Sequence, residues 1–236
     1  MIKSIAIIPA RGGSKRLKRK NIHPIAGKPL VCWTIDAALQ SNLFNKILVS
    51  TDDEEIARVA ADADVTVAQR PATLASDTAT CAQVCEWHLQ ELAREGQFYD
   101  RLYCLYATSP LRSADDLKAM DRIFSANDDS NAVIAVTSYS HYPYQAFEQL
   151  ESGLIQPYWP DLCRKKRSDL PQFVAGNGSS YAINVDTFLR IKDFYTPGLP
   201  GVYSHYMSRE RSIDIDEESD ILLLEALINS DSVKLP

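Results

Sequence analysis

Short, continuous apolar runs alternate along the first half of the chain with longer stretches in which apolar residues return every three or four positions. The runs are Ile5-Ala6-Ile7-Ile8, Ile47-Leu48-Val49, Val65-Thr66-Val67-Ala68, Leu102-Tyr103-Cys104-Leu105-Tyr106 and Ala132-Val133-Ile134-Ala135-Val136. Runs of this length without polar alternation predict strands covered on both faces. Between them, three sets keep helical spacing: Leu30, Val31, Ile35, Ala38 and Leu39; Ile56, Val59, Ala60 and Ala63; Cys81, Val84, Cys85, Leu89 and Leu92. His88 falls on the last stripe, which predicts a packed rather than a catalytic histidine. Pro29 suits the first position of a helix, the Asp52-Asp53-Glu54 run an acidic first turn, and Ser113 an N-cap. Strand and helix in alternation predict an α/β fold with a mainly parallel sheet flanked by helices.

The pattern changes near residue 139. Tyr139, His141, Tyr142, Pro143 and Tyr144 lead to Gln156-Pro157-Tyr158-Trp159-Pro160 and then to the basic Arg164-Lys165-Lys166-Arg167. This reads as an insertion over about 139–175 in a single domain spanning 1–236, either an aromatic partner surface or an ordinary hairpin with a charged tip. Ala175-Gly176-Asn177-Gly178-Ser179-Ser180 reads as a second glycine loop, followed by a strand over 181–185. A Leu- and Ile-rich helix is expected over 218–229.

Candidate chemistry sits at the two ends. Pro9 ends the first strand, and Ala10-Arg11-Gly12-Gly13-Ser14-Lys15 turns sharply into Arg16, Lys18, Arg19, Lys20 and Asn21. A strand entering a glycine loop rich in backbone N–H groups and cations suits a polyphosphate. Neither the Walker pattern nor G-x-G-x-x-G is present, so the alternative is a solvated basic turn. At the other end Ile213, Asp214, Ile215 and Asp216 alternate, so an extended backbone points both carboxylates to one side. Two carboxylates aimed at one spot suit magnesium, which takes oxygen ligands and completes its shell from water and phosphate. An exposed strand end running into a helix N-terminus is the plainer alternative. The four histidines show no zinc spacing, and no G-x-S-x-G elbow is present.

Length and composition narrow the class. The 236 residues carry a net charge of −6, which argues against nucleic-acid binding by bulk electrostatics. No apolar run approaches the roughly 20 residues of a membrane span. Met1-Ile2-Lys3 leads directly into a strand, and the 5 cysteines are scattered among apolar neighbours. A cytoplasmic protein with packed, reduced thiols is expected.

Several ordered motifs then coincide: Ile8-Pro9-Ala10-Arg11-Gly12-Gly13-Ser14-Lys15, Lys20-Asn21, Val49-Ser50-Thr51-Asp52, Arg70-Pro71, Ser76-Asp77-Thr78, Thr108-Ser109-Pro110-Leu111-Arg112 and Asp214-Ile215-Asp216. Over most of its length the chain resembles the acylneuraminate cytidylyltransferases, which activate nonulosonic acids such as sialic acid with CMP. The resemblance implies a Rossmann-like, GT-A-like nucleotidyltransferase fold. It implies transfer of CMP from CTP to the anomeric hydroxyl of a nine-carbon keto-deoxy acid, with release of pyrophosphate. Arg11, Lys20 and Asn21 would take the phosphates and ribose, within a nucleotide site that includes Ala10, Gly12, Gly13 and Ser14. Arg70, Thr78, Thr80 and Cys81 would lie along the cytosine. Asp214 and Asp216 would hold Mg2+ and, with Arg11 and Lys20, form the catalytic set. The proton acceptor stays open between a carboxylate of the couplet and a metal-bound hydroxide.

On the sugar side the resemblance points to Tyr106, Thr108, Ser109, Asn177 and Tyr181, with Arg167 crossing the interface of a homodimer built through the 139–175 insertion. Sialic-acid-specific bacterial members have Gln-Pro-Thr-Ser-Pro where this chain has Tyr106-Ala107-Thr108-Ser109-Pro110. Tyr106-Ala107-Thr108, Ser14-Lys15-Arg16 and Arg19-Lys20-Asn21 look like the pseudaminic acid type, whereas 170–178 resembles the sialic acid type with Ala175 at an arginine position and Gln145 at a lysine position. The alternatives are a metal-dependent glycosyltransferase using the Asp-x-Asp couplet and a non-catalytic CTP-binding module. The eight-carbon keto-deoxy sugar branch usually has Arg-Tyr-x-Ser at Arg11-Gly12-Gly13-Ser14.

Overall fold

The structure, a computed structural model, describes residues 2–127, 130–195 and 198–236, with the side chain of Arg167 outside that description. The chain begins with β1 (Ser4–Pro9), a short ribbon of β2 (Pro24–Ile25) and β3 (Lys28–Pro29), α1 (Leu30–Ser41), β4 (Lys46–Thr51), α2 (Glu54–Asp62) and β5 (Thr66–Gln69). It continues with α3 (Cys81–Arg94), β6 (Arg101–Leu105), α4 (Ala114–Ala126) and β7 (Ala132–Ser138). After a hairpin of β8 (Phe147–Gln149) and β9 (Ile155–Pro157) come β10 (Val174–Asn184), α5 (Val185–Ile191), β11 (Val202–Tyr206) and α6 (Glu218–Asn229).

A 7-stranded sheet of order β11-β7-β10-β6-β1-β4-β5 forms the middle layer. Its pairs are parallel except those of β10, which runs antiparallel to both β6 and β7. The continuous apolar runs are explained by two cores. Ala6, Ile8, Val49, Tyr103 and Val133 face α1, α2 and α4 through Ile35, Ile56 and Leu117. Ile5, Ile7, Leu48, Leu102 and Cys104 face α3 and α5 through Cys85, Leu89 and Phe188. A third cluster joins Ile25, Leu30, Leu111, Ile213 and Ile215 to Ile221 and Leu224 of α6.

This topology fixes where a ligand can enter. From β1 the chain winds outward through β4 and β5, then returns to the other side of β1 as β6. The loops after β1 and β6 therefore diverge from neighbouring strand ends, the place where open α/β sheets form a binding crevice.

Four expectations need correction. The glycine-rich stretch 175–180 is not a loop but part of β10, whose pairing with β7 shifts register between Gly176 and Tyr181. That shift is a bulge, which two glycines tolerate because one of them, Gly178, has φ 70°. Val185 begins α5 rather than ending a strand, and β11 is an additional edge strand. Pro29 precedes α1 as its N-cap, and Leu39 is exposed on that helix. Of the 5 cysteines, Cys85 and Cys104 are buried and Cys32, Cys81 and Cys163 half-buried, all as free thiols. Asp53 caps α2 through the N–H groups of Glu55 and Ile56, and Ser113 forms a capping box on α4.

His88 is packed, as its position on the stripe predicts. It is 2% exposed and its Nε2 lies 2.6 Å from Ser50 Oγ. Burial, with Arg70 nearby, pushes its pKa down to about 4 from 6.5. The unfolded imidazole binds a proton near 6.5 and the folded one does not, so stability is complete above 6.5 and falls as pH drops towards 4. The loss approaches about 3 kcal/mol at the low end. Urea midpoints measured between pH 7 and pH 4.5 should fall less steeply in His88→Gln than in the wild type. Parallel slopes would contradict the assignment.

Candidate active site

The crevice is a cavity of about 340 Å3 lined by the loop after β1 (Pro9, Arg11, Lys20, Asn21), the 70–84 segment (Arg70, Leu74, Asp77, Ala79, Cys81, Val84), the end of β6 (Tyr106, Ala107, Thr108) and the couplet (Asp214, Asp216). A larger cavity of about 660 Å3 lies between the insertion and β7 and β10, but among the described residues neither an acidic nor a basic side chain lines it. The smaller one gathers the cations and the couplet.

The first loop is held by its backbone. Ala10 N–H donates to Ser50 O at 2.9 Å, Gly12 N–H to Asp52 Oδ1 at 3.0 Å, and Asn21 Nδ2 to Arg11 O at 2.8 Å. Gly12 is required by space: an added Cβ would come within 2.8 Å of Asp53 Cβ. Gly13 and Ser14 complete the bend, with Ser14 N–H donating to Gly12 O at 3.0 Å. The turn presents its cations to acids from distant parts of the chain. Arg11 and Lys15 both bind the Asp77 carboxylate, at 2.8 and 2.5 Å. Lys20 and Arg16 bind the two oxygens of Asp216 at 2.8 and 2.7 Å. Arg19, in the left-handed region, pairs with Glu55.

The couplet is assembled as the alternation predicts. Ile213 and Ile215 are buried at 9% and 0% exposure, and Asp214 and Asp216 both reach the cavity. Ile215 N–H donates to Thr108 O at 2.8 Å, tying the couplet to the end of β6. Asp214 is raised above the usual carboxylate range by burial, with the charge of Asp216 adding to it and a Thr108 hydrogen bond opposing. Asp216 is lowered: burial pushes it up, but Lys20 and Arg16 outweigh it. Asp214 Oδ1 is buried with no partner, so it has a free lone pair for a hard cation. Among the described residues no cluster of three or more His, Cys, Asp or Glu side chains could ligate a metal. The couplet thus offers carboxylate oxygens and leaves other coordination positions to substrate and water, a donor set that fits magnesium.

The nucleotide and sugar expectations separate by location. Arg11, Lys20, Asn21, Arg70, Cys81, Tyr106, Thr108, Asp214 and Asp216 share the cavity wall. Arg70 is 6% exposed and anchored to β4 by donating to Ser50 O, and burial lowers its pKa. Thr80 and Thr78 are outside the lining: the Thr80 hydroxyl caps α3 at Gln83 N–H, and Thr78 meets Ser76 Oγ at 3.2 Å. Ser109 is buried behind the loop. Asn177 is also buried, its Nδ2 donating to Ser212 Oγ at 3.1 Å beside the couplet. Tyr181 packs under Tyr106 at a ring distance of 5.5 Å and shares a 2.7 Å hydroxyl contact with Tyr195. The side chain of Arg167 lies outside the described residues. Asp77, the shared partner of Arg11 and Lys15, stands in the Ser76-Asp77-Thr78 motif, but nothing in that motif points to its pairing with the basic loop.

Comparison with known proteins gives the family. A sequence model described as Cytidylyltransferase matches residues 5–150. The chain is 33% identical to a pseudaminic acid cytidylyltransferase of Campylobacter jejuni, covering 93% of this chain and 94% of that one. It is 32% identical to an N-acylneuraminate cytidylyltransferase of Streptococcus agalactiae over 94% of this chain, and spans 52% of that longer protein. A solved structure, CMP:2-keto-3-deoxy-manno-octonic acid synthetase complexed with CTP, superposes with a TM-score of 0.70 at 14% identity, covering 97% of this chain and 99% of that one. The chain belongs to the cytidylyltransferase family and is a nucleotidyltransferase. The glycosyltransferase and non-catalytic readings of the couplet are thereby set aside.

Proposed function

We propose that this protein transfers the cytidylyl group of CTP to the anomeric hydroxyl of a nine-carbon keto-deoxy acid and releases pyrophosphate. The observation that carries the reading is the contact of Lys20 Nζ with Asp216 Oδ1 at 2.8 Å. Residues 196 apart in sequence thus bring a phosphate-binding cation and an oxygen-donor couplet to one cavity. The relatives named for pseudaminic and N-acylneuraminic acid support the sugar class.

Magnesium on Asp214 and Asp216 would neutralise charge on the reacting phosphate and on the departing pyrophosphate. Arg11, Lys15, Arg16 and Lys20 bind the triphosphate, in exchange for Asp77 and Asp216. The loop N–H groups orient it, and Leu74, Val84 and Ala107 exclude water from the base-binding side. Little covalent work falls to the protein, so rate comes from positioning and charge. Tyr106, which lines the cavity and packs on Tyr181, would discriminate among incoming sugars.

Pyrophosphate release should be measured with each nucleoside triphosphate and Mg2+, in parallel with N-acetylneuraminic, legionaminic and pseudaminic acids. Release is expected with CTP and one of these sugars. No release with any pairing would overturn the reading.

The insertion is assigned to a homodimer contact. Its β8–β9 hairpin leaves Phe147, Leu154, Ile155 and Tyr158 exposed, an apolar surface that a second copy would cover. The double variant Leu154→Glu/Ile155→Glu is expected to elute as a monomer from a sizing column. A dimer that persists in that variant would refute the assignment.

A further inference from the structure

The couplet lies in a stretch with neither helix nor strand: residues 207–217 connect β11 to α6 with isolated turns. Its position is therefore set by side chains and by a few backbone contacts. One tie is the bond from Ile215 N–H to Thr108 O. Lys20 and Arg16 hold Asp216, Asn177 holds Ser212, and three residues before Asp214 a further tie is made by Arg211. Its guanidinium donates to Leu111 O at 3.1 Å, to Ser113 Oγ at 3.3 Å, and to both oxygens of Asp116, with Nη1 at 3.2 Å from Oδ1. Leu111 belongs to the same loop as Thr108. The Ile215 and Arg211 ties thus both fasten one short segment to one short loop, with Asp214 between them on the segment and Thr108 on the loop.

The anchor is itself fixed. Asp116 is 5% exposed in the first turn of α4 and accepts from Ser113 N–H at 2.8 Å and Ser113 Oγ at 2.7 Å. It also meets His205 Nε2 of β11 at 3.1 Å. Burial works against its charge, but His205, Arg211 and Ser113 together hold the carboxyl well below the usual range. A fork-shaped donor on a buried, ionised carboxylate is rigid in a way that a lysine cannot reproduce. Neither Arg211 nor Asp116 lines the cavity, so neither is placed to touch substrate.

We propose that Arg211, locked onto Asp116 at the head of α4, is the positioning residue that sets the Asp214/Asp216 couplet against the Thr108 loop for metal capture. The inference rests on the reading of that couplet as a metal site. Residues that orient ligands from behind change metal affinity by about 10- to 100-fold when removed.

The test is Mn2+ titration of the purified protein without nucleotide, followed by the electron paramagnetic resonance signal of free Mn2+, for wild type, Arg211→Met, Arg211→Lys and Asp116→Asn. Thermal melting is recorded for each. Arg211→Met is expected to weaken Mn2+ binding about tenfold or more, with Arg211→Lys between it and the wild type. At saturating metal, the KM for CTP should stay within about twofold while the metal concentration for half-maximal activity rises. Arg211→Lys keeps the charge on Asp116 and is the variant to rely on if Arg211→Met does not fold. Mn2+ affinity within twofold of wild type in both arginine variants, with only the melting temperature lowered, would overturn the proposal. Asp214→Asn separates the two levels: Mn2+ binding that survives it removes the couplet reading and the brace with it. Binding lost in Asp214→Asn but intact in Arg211→Lys and Arg211→Met removes the brace alone.

Discussion

Asp216→Asn is expected to lower turnover about a thousandfold or more while CTP binding in the absence of metal holds or tightens. The two effects separate because Asp216 has two partners to give up. Both its oxygens are engaged by Lys20 and Arg16 in the ligand-free protein. Removing the charge frees those cations for the triphosphate but leaves only a neutral amide oxygen for the proposed metal ion. Asp214, with its unpartnered Oδ1, would then be the one charged donor left in the couplet, and a single carboxylate holds a divalent ion weakly. Pyrophosphate release and calorimetric CTP titration in the presence of a chelator check the two halves. Wild-type turnover in the variant would remove the metal assignment.

Lys20→Ala carries the next largest effect, a fall in kcat/KM of about a hundred- to a thousandfold. Its side chain is only 15% exposed, so its charge acts in a partly dehydrated setting where fixed charges count for most. Arg16, on the other oxygen of Asp216, is 66% exposed and cannot replace it. Lys20→Arg should recover part of the loss, because the charge returns while a broader head group enters a tight corner. Steady-state rates over a range of CTP concentrations test this, and a loss smaller than threefold in Lys20→Ala would show that the loop's charge is shared rather than focused.

The parts of this architecture legible in sequence were those with a period. Continuous apolar runs located β1, β4, β6 and β7 because strands with helices on both faces must be apolar on both sides. The Ile213-Asp214-Ile215-Asp216 alternation located the couplet because the isoleucines needed a core to enter. The misses share a different cause. The segment 175–180 reads as a loop from its glycines, yet β7 and β6 flank it and supply backbone partners that override local preference. Antiparallel β10 cannot be told from a parallel strand by composition. β11 is an edge strand whose residues alternate between exposed and half-buried, and His205 in it is occupied with Asp116 rather than spaced for a metal. The Arg11–Asp77 and Arg211–Asp116 contacts join residues 66 and 95 apart, and no local pattern encodes a pairing of that kind.

The pairing of the basic loop with the protein's own carboxylates changes what nucleotide binding means for this enzyme. With Arg11 and Lys15 on Asp77, and Lys20 and Arg16 on Asp216, four cations share two carboxylates, so half of the loop's charge is already answered at rest, in a chain of net charge −6. A polyanion approaching it feels a weaker attraction than four free cations would exert. Capture is a counter-ion exchange, in which the triphosphate displaces partly exposed internal pairs that are individually weak. Salt screens the pairs that break and the pairs that form alike. Affinity for the nucleotide therefore responds to ionic strength less than the number of cations in the loop would imply.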